Sequence, residues 1–306
     1  MIRLSAFADE ISPDLDEQIA VLTSEHIHFL DLRGVWNTNV LDLTDQQVAR
    51  IKETLDAHGI GVAAIGSPIG KVPIDSSFDE HLHHFERAIT VARALQTPYI
   101  RIFSFYPPAT KGERNDSDAV NVGALSGARF NSFAPWDGAI ADEYRDEVLR
   151  RLREMTARAR AAGVILLHEN EKDIYGDTIA RCVDLLQNCN DPHFQSHFQS
   201  VFDPANFIQC GQIPYPDAYE ALRPWLRYVH VKDARSDGSV VAAGEGVTHW
   251  PELLQRLRAD GYDGFLSLEP HLASAGKYQG FSGPDLFRLA SQALQHMLQA
   301  MCWEYA

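Results

Sequence analysis

Eight short apolar segments alternate with segments of helical periodicity along the chain, and this alternation constrains the fold most. The apolar segments have the length of β-strands, are rich in Val, Ile, Leu and Phe, and each precedes an amphipathic segment. Strands separated by helices pair in parallel, and eight such units are typical of a closed (β/α)₈ TIM barrel. The predicted strands cover residues 2–7, 28–33, 60–66, 99–105, 164–169, 199–203, 227–231 and 265–269.

A doubly wound dinucleotide-binding fold would also alternate strands with helices. That fold requires a G-x-G-x-x-G turn after an early strand, and the sequence contains no such motif. A chain of 306 residues with 45% hydrophobic residues is long enough for one large barrel or for two ordinary domains. The regular repeat favours a single TIM-barrel domain over residues 1–306.

A long interruption follows the fourth predicted strand, at residues 107–141. It is rich in Gly, Ser, Asn and Asp and is far longer than an ordinary connection from a strand to the next helix. In a barrel it would lie at the C-terminal ends of the strands, where active sites are built. One interpretation is a lid with Phe130, Phe133 and Trp136 on its apolar underside. The other is a disordered or oligomer-contacting insertion.

Charge and cysteine content restrict the partners and the setting of the protein. The 42 acidic residues outnumber the 27 basic ones and give a net charge of −15 at pH 7, which argues against nucleic acid and membrane surfaces as partners. The four cysteines form no C-x-x-C pair, and no signal peptide or membrane-spanning segment is recognised. We therefore expect a cytoplasmic protein that binds a small molecule. The oligomeric state is not readable, although barrels of this kind commonly form homo-oligomers.

The last four predicted strands all end in side chains that bind metals. Because the C-terminal ends of barrel strands surround one pocket, these side chains are expected to share a site. Any one of them alone fits a helix cap or a salt-bridge partner better than a metal ligand, and only the four together favour a site. Three carboxylates together would repel one another without a cation, and with one imidazole they suit a divalent metal, Mn²⁺ first and Mg²⁺, Co²⁺ or Zn²⁺ as alternatives. The four predicted ligands are Glu169, Asp203, His230 and Glu269.

Three further residues near the strand ends are assigned from their positions. Arg101, at the end of the fourth strand, is predicted to bind substrate. Lys172, in the loop after the fifth strand, either reaches a substrate hydroxyl or pairs with Glu171. His168 alternates with Glu169 along the fifth strand, so it should point away from the pocket and have a structural role.

The ordered motifs resemble the sugar phosphate isomerase/epimerase superfamily, the xylose isomerase-like barrels that include ketose 3-epimerases and inosose dehydratases. The motifs occur in the family's order and the strand–helix repeat extends the similarity over nearly the whole chain. The matching segments are LLHEN (166–170), VFDPANF (201–207), YVHVKDAR (228–235), GEG (244–246) and GYDGFLSLEPH (261–271).

The resemblance implies roles for individual residues. In ketose 3-epimerases of this type the matching ligands bind Mn²⁺ or Co²⁺, and the two glutamates, here Glu169 and Glu269, also act as acid/base groups on opposite faces of the substrate. Arg235 would match an arginine that holds substrate oxygens. Two positions depart from the family. Asn206 stands where the epimerases often have histidine, which alters a substrate contact, and Tyr175 stands where a hydrogen-bonded glutamate is expected.

The chemistry predicted from these features is proton abstraction next to the carbonyl of a ketose or keto-sugar, through a cis-enediolate that the metal stabilises. Returning a proton gives an epimerase or isomerase, and expelling a hydroxyl group gives a dehydratase or lyase. Two other classes compete with this reading. An endonuclease-like barrel would hold several zinc ions through many histidines, whereas only His230 lies at a relevant strand end. For a non-catalytic barrel, no divalent metal is expected to copurify with the protein.

Overall fold

Eight parallel strands form the central sheet of the protein. The computed structural model describes residues 1–108, 136–190, 197–272 and 282–306. Around the sheet the strand order is β1, β8, β7, β6, β5, β4, β3, β2. The strands are β1 (Arg3–Ala6), β2 (Phe29–Leu32), β3 (Gly61–Ile65), β4 (Tyr99–Ile102), β5 (Ile165–Glu169), β6 (Phe198–Phe202), β7 (Leu226–Val231) and β8 (Phe265–Leu268).

The two edge strands of this sheet, β1 and β2, meet through a parallel bridge between Phe7 and Asp31. The sheet therefore curves into a nearly closed barrel, and the predicted (β/α)₈ fold is confirmed. The predicted strand bounds hold to within one residue except in β4, which ends at Ile102 instead of Phe105. Phe105 has a φ of 69°, a left-handed conformation that an extended strand does not accommodate.

Helices lie between the strands along the chain. Two short antiparallel hairpins lie outside the eight-stranded sheet: Gly34–Val35 with Thr38–Asn39, and Asp233–Ala234 with Val240–Val241. Short 3₁₀ and π turns add to the connections. The α-helices of the described residues are α1 (Leu15–Ser24), α2 (Asp45–Ala57), α3 (Phe78–Ala94), α4 (Gly138–Ala162), α5 (Ile179–Cys189), α6 (Pro204–Gln209), α7 (Tyr219–Leu222), α8 (Trp250–Ala259) and α9 (Gly283–Ala300).

Helix α4 begins at Gly138, inside the predicted insertion 107–141. The predicted insertion therefore ends too late in the sequence. The side chain of Asp137 accepts a hydrogen bond from the backbone N–H of Ile140 at 2.9 Å and caps the helix. Residues 138–141 therefore belong to α4 and not to a loop. Residues 109–135 lie outside the described residues, and with them Phe130 and Phe133 of the predicted lid.

Trp136, the third aromatic residue assigned to the lid, packs into the body of the protein. It is 4% exposed, and its indole N–H donates to the backbone oxygen of Phe105 at 3.3 Å. Its ring meets that of Tyr175 edge to face, with centroids 5.4 Å apart. Trp136 thus anchors the start of α4 to the loops that follow β4 and β5.

Two apolar clusters stabilise the barrel. The larger one lies between the strands and the surrounding helices and includes Leu22, Leu149, Leu186, Leu254 and Leu294. The smaller one contains residues of the strands alone, so it fills the barrel interior. Its buried members are Ala63, Ala64, Tyr99, Leu167, Val201, Tyr228 and Phe265.

A buried carboxylate also lies in the barrel interior. Asp31 accepts hydrogen bonds from the hydroxyls of Tyr228 and Ser267, each at 2.6 Å, and Ser5 Oγ lies 2.9 Å from the Tyr228 hydroxyl. Burial raises the pKa of Asp31, although the hydroxyl donors oppose that effect. This network joins β1, β2, β7 and β8 one layer before the strand ends.

All four cysteines are free thiols. Among the described residues, no helix is long and apolar enough to span a bilayer.

Candidate metal centre

The four predicted metal ligands meet at the C-terminal ends of β5 to β8. One ligand atom from each residue lies within 4.8 Å of the ligand atoms of the other three. Every one of these side chains is at most 3% exposed. The residues brought together are Glu169, Asp203, His230 and Glu269.

Strand alternation explains why these side chains face the same pocket. Leu167 lies in the interior cluster, and Glu169 follows it by two residues on the same face of β5. Tyr228 and His230 are related in the same way on β7. The parallel register places the ends of these strands side by side, so that the carboxylates and the imidazole converge.

His168 points away from this pocket, as the alternation predicts. It is 1% exposed and its ring stacks on Phe198 of the outer cluster, with centroids 5.8 Å apart. Burial lowers the pKa of His168 to about 4. Gly176 packs against the imidazole so closely that a Cβ there would lie 2.5 Å from Cε1. These contacts agree with a structural role.

Asp203 has a separate task for each carboxylate oxygen. Its Oδ1 accepts a hydrogen bond from the backbone N–H of Asn206 at 3.0 Å and caps the short helix α6. Its Oδ2 is buried without a hydrogen bond and lies 3.9 Å from Nδ1 of His230. The capping and ligand interpretations of this residue are therefore compatible, because they use different atoms.

His230 directs Nδ1 at all three carboxylates. The atom lies 3.1 Å from Oε1 of Glu169, 3.3 Å from Oε2 of Glu269 and 3.9 Å from Oδ2 of Asp203. The ring of Phe7 meets the imidazole edge to face, with centroids 5.1 Å apart, and fixes its plane. Burial acts to lower the pKa of His230, but the carboxylates of Glu169 and Glu269 outweigh it and raise the pKa to about 10.

The three carboxylates differ in how well the surrounding side chains stabilise their charge. Burial alone would raise the pKa of Glu169, but His230 and other cations lower it to about 2. Glu269 behaves similarly, since Lys232 and its neighbours outweigh burial and hold its pKa well below the usual range. For Asp203 burial prevails over Lys232 and raises the pKa to about 6. Asp203 is thus the carboxylate whose negative charge the surrounding side chains stabilise least.

Arg101 bridges the two glutamates. One of its terminal nitrogens, Nη1, lies 3.1 Å from Oε2 of Glu169 and 3.2 Å from Oε1 of Glu269. The other, Nη2, donates to the backbone oxygen of Gly66 at 3.2 Å. Arg101 therefore lies in the pocket, as its strand-end position predicts, and its guanidinium contacts the ligands. Its substrate-binding role stays a prediction.

Lys232 also contacts the ligand set, although no role was assigned to it from the sequence. Its Nζ lies 2.8 Å from Oδ2 of Asp203 and 3.4 Å from Oε2 of Glu269, and the side chain is 3% exposed. Lys232 follows His230 by two residues. The strand alternation that places His230 in the pocket therefore also predicts that Lys232 faces it.

Arg33 forms a second group of ion pairs beside the pocket. Its guanidinium contacts Oδ2 of Asp9 at 2.7 Å, Oε1 of Glu10 at 2.9 Å and Oε1 of Glu269 at 2.9 Å. His271 lies 3.1 Å from the same Glu10 oxygen. Burial would raise the pKa of Glu10, but His271 and Arg33 lower it to about 2. These residues lie at strand ends, but their sequence positions do not reveal that they support Glu269.

Asn206 contacts a metal ligand directly. Its side-chain amide donates to Oε1 of Glu169 at 3.2 Å and to the backbone oxygen of Asn170 at 2.9 Å. Asn170 in turn exchanges two hydrogen bonds with the backbone of Asp203, at 2.9 and 3.0 Å. The amide therefore orients Glu169, and the substrate contact inferred for Asn206 stays a prediction.

Lys172 and Arg235 are exposed, and no contact within the described ranges joins either side chain to the four ligands. The predicted pairing of Lys172 with Glu171 is wrong for the side chains. Only the backbone N–H of Lys172 donates to Glu171, at 3.2 Å, while Nζ of Lys71 lies 3.0 Å from its other oxygen. Arg235 lies in the turn of the Asp233–Val241 hairpin, where its N–H bonds Ser239.

Tyr175, which stands where the resemblance implies a hydrogen-bonded glutamate, contacts α5. Its hydroxyl donates to Oδ2 of Asp184 on α5 at 3.2 Å, and its backbone N–H bonds Phe105. Within the described residues, no contact links Tyr175 to the ligands.

The donor set fits a divalent cation. Three carboxylates and one imidazole are the ligands that hard and borderline divalent metals accept. The buried Oδ2 of Asp203 makes no hydrogen bond of good geometry and is ion-paired with Lys232 at 2.8 Å, so it already lies against a positive charge, as a metal ligand would.

Comparison with solved structures identifies the fold. A probable 3-DHS dehydratase from Bacillus anthracis, involved in petrobactin synthesis, is 17% identical with a TM-score of 0.67, over 96% of this chain and 99% of that one. D-psicose 3-epimerase from Clostridium cellulolyticum H10, solved with D-tagatose, is 14% identical with a TM-score of 0.68, over 97% and 99%. A xylose isomerase-like TIM barrel protein from Mycobacterium smegmatis, in complex with magnesium, is 15% identical with a TM-score of 0.66, over 97% of each chain.

At these identities the structural similarity establishes the fold alone. No curated protein sequence matches the chain at a significant level. Residues 28–297 match a family model described as xylose isomerase-like TIM barrel, which covers most of the chain. The predicted family is therefore confirmed: the chain belongs to the xylose isomerase-like TIM barrels.

Proposed function

We propose that the protein is a divalent-metal-dependent isomerase or epimerase of a ketose or keto-sugar, with Glu169 and Glu269 as its acid/base groups. The observation that carries this proposal is the convergence of Glu169, Asp203, His230 and Glu269 in one buried cluster. These four residues would hold Mn²⁺, with Mg²⁺, Co²⁺ or Zn²⁺ as alternatives.

The two glutamates are suited to moving a proton. The surrounding cations hold the pKa of each below the usual range, so both are ionised and able to accept a proton at neutral pH. One takes the proton from the carbon beside the substrate carbonyl, and the other, once it has itself taken up a proton from solvent, delivers that proton to the opposite face. A bound divalent cation would offset the negative charge that develops as the cis-enediolate forms.

The surrounding residues would orient the glutamates and the substrate. Arg101 contacts both carboxylates and Asn206 contacts Glu169, so these side chains limit the rotamers available to the acid/base pair. Arg101 and Asn206 are also proposed to contact substrate oxygens. Lys172 and Arg235 are proposed to do so from the exposed loops.

Elimination is the second candidate outcome of the same proton abstraction. It is favoured by the structural similarity to a probable dehydratase. Loss of a hydroxyl group from the carbon next to the carbanion would give an enone, whereas return of the proton would give an epimer or an isomer. A carbohydrate is the proposed partner in either case.

Metal analysis tests the site itself. The purified protein, stripped with a chelator and titrated with Mn²⁺, should bind one ion per chain. Glu169→Gln and Glu269→Gln should weaken that binding, whereas Glu53→Gln on the exposed face of α2 should leave it unchanged. Absence of binding by the folded wild-type chain would refute the metal-dependent function.

Proton exchange tests the reaction. The Mn²⁺-loaded protein is incubated with a panel of ketoses and keto-sugars in D₂O, followed by NMR spectroscopy. Deuterium at the carbon next to the carbonyl, together with an epimer, supports epimerisation; an enone absorbance supports elimination. Each glutamine variant should slow exchange by about 10²-fold or more, the contribution of a general acid or base.

A further inference from the structure

The ammonium group of Lys232 occupies a place among the ligand oxygens. It lies 2.8 Å from Oδ2 of Asp203 and 3.4 Å from Oε2 of Glu269. These are the same two atoms that face Nδ1 of His230, at 3.9 and 3.3 Å. The lysine thus pairs with the inward-facing oxygens of the cluster.

The other oxygens of these two carboxylates have different partners. Oδ1 of Asp203 accepts the backbone N–H of Asn206, and Oε1 of Glu269 lies against Arg33 and Arg101. A cation that uses Asp203 and Glu269 as ligands would therefore take the oxygens that Lys232 now contacts. Two positive charges cannot share them without strong repulsion.

The backbone of Lys232 is held in place, whereas the buried side chain has a four-carbon stem whose torsions can change without moving the backbone. The backbone oxygen of Lys232 accepts the indole N–H of Trp250 at 3.3 Å. The next residue, Asp233, accepts the N–H groups of Gly244, Gly246 and Thr248 at 3.0 to 3.2 Å. Movement of the ammonium group would then require only changes of side-chain torsions.

We propose that Lys232 is an exchangeable internal counter-ion, which holds Asp203 and Glu269 together in the metal-free protein and is displaced from them when the divalent cation binds. This inference rests on the proposed metal site. It differs from a supporting role, in which Lys232 would stay in contact with the ligands and strengthen metal binding.

The experiment compares wild-type protein with Lys232→Met and Lys232→Gln. Both variants remove the competing charge, so calorimetric titration should show Mn²⁺ binding tightened by about 5- to 150-fold, the usual range for coupled binding events. The metal-free variants should melt at a lower temperature than metal-free wild type, because the buried carboxylates lose their counter-ion. Saturating Mn²⁺ should remove most of that difference.

Lys71→Met is the matched control. Lys71 pairs with Glu171, and within the described part of the chain it does not contact the ligand oxygens of Asp203 or Glu269. Its removal deletes one positive charge at the same end of the barrel without removing the competitor, so Mn²⁺ affinity should change much less than in the Lys232 variants.

The outcomes separate the two proposals. Unchanged or weaker Mn²⁺ binding in both Lys232 variants, with wild type binding normally, would overturn the exchange and leave the metal site intact. No binding by any of the proteins would refute the metal site itself. If a variant folds only with metal present, competition with a chelator of known affinity, started from the loaded protein, gives the same comparison.

Discussion

Nη1 of Arg33 lies 2.9 Å from Oε1 of Glu269, although the two residues are 236 positions apart in the chain. The same guanidinium contacts Asp9 and Glu10, and its side chain is only 12% exposed. Arg33 therefore joins the start of the barrel to its last strand and carries the positive charge that three buried carboxylates share.

Replacing Arg33 by Met should strongly destabilise the protein. Removal of one partner from a buried ion pair leaves the other charge uncompensated, at a cost of about 3–5 kcal/mol. Urea unfolding of Arg33→Met measures that loss in the free energy of unfolding. Arg150→Met is the control, since Arg150 and Glu147 form an exposed pair worth about 1 kcal/mol or less. Equal stability of the two variants would contradict the role of Arg33.

Replacing Asn206 by Ala should weaken the metal site without removing a ligand. The amide of Asn206 bonds Oε1 of Glu169, and loss of such a supporting contact typically lowers metal affinity or activity by about 10- to 100-fold. Mn²⁺ titration of Asn206→Ala checks this. Asn188→Ala removes a comparable amide that bonds Asp184 on α5, and it should bind Mn²⁺ like wild type.

The free energy of unfolding should decrease as the pH is lowered, because His81 is held neutral in the folded protein. Burial lowers the pKa of His81 to about 4 from the ordinary 6.5, and its Nε2 accepts the backbone N–H of Gly70 at 3.2 Å. The unfolded chain therefore binds a proton between these two values while the folded protein does not, so the contribution of His81 to stability is present above pH 6.5 and is lost as the pH falls toward 4.

His81→Gln removes this titration and so measures it. The stability of wild type minus that of His81→Gln should decrease by about 2 kcal/mol between pH 7.5 and pH 5, determined by urea unfolding at each pH. A difference that stays constant over this range would show that His81 is not held neutral by the fold.

Gly176→Ala should destabilise the contact between the loop after β5 and His168. The added Cβ would lie 2.5 Å from Cε1 of His168, 2.9 Å from its Nε2 and 3.0 Å from Oγ of Ser104. Overpacking of this kind costs about 1–3 kcal/mol. Gly138→Ala at the start of α4 meets no atom within 4 Å, so it should be neutral or slightly stabilising in the same unfolding assay.

The barrel and its four candidate ligands are predictable because they depend on local patterns. An apolar run that ends in Glu169 or Glu269 indicates both a strand and the side chain at its exit. The exit of β4 is less predictable, because the left-handed conformation of Phe105 is set by its surroundings and not by its own preference.

The partners of the ligands depend on long side chains whose direction no local pattern specifies. Arg33 and Arg101 reach Glu269 across the pocket, and Lys71 pairs with Glu171, which the sequence offered as one of two partners for Lys172. Contacts of this kind join residues far apart in sequence, so spacing along the chain does not reveal them.

The sequence by itself determined the order of strands and helices, and with it the end of the barrel at which polar residues gather, because strand period and helix period are local properties of the chain. Only the tertiary structure decided which charges neutralise one another there. The pairing of β1 with β8 and the bridge from β1 to β2 bring Arg33 to Glu269, while the convergence of β6 and β7 brings Lys232 to Asp203. Ion pairing depends on distances of a few ångströms, and the fold sets those distances.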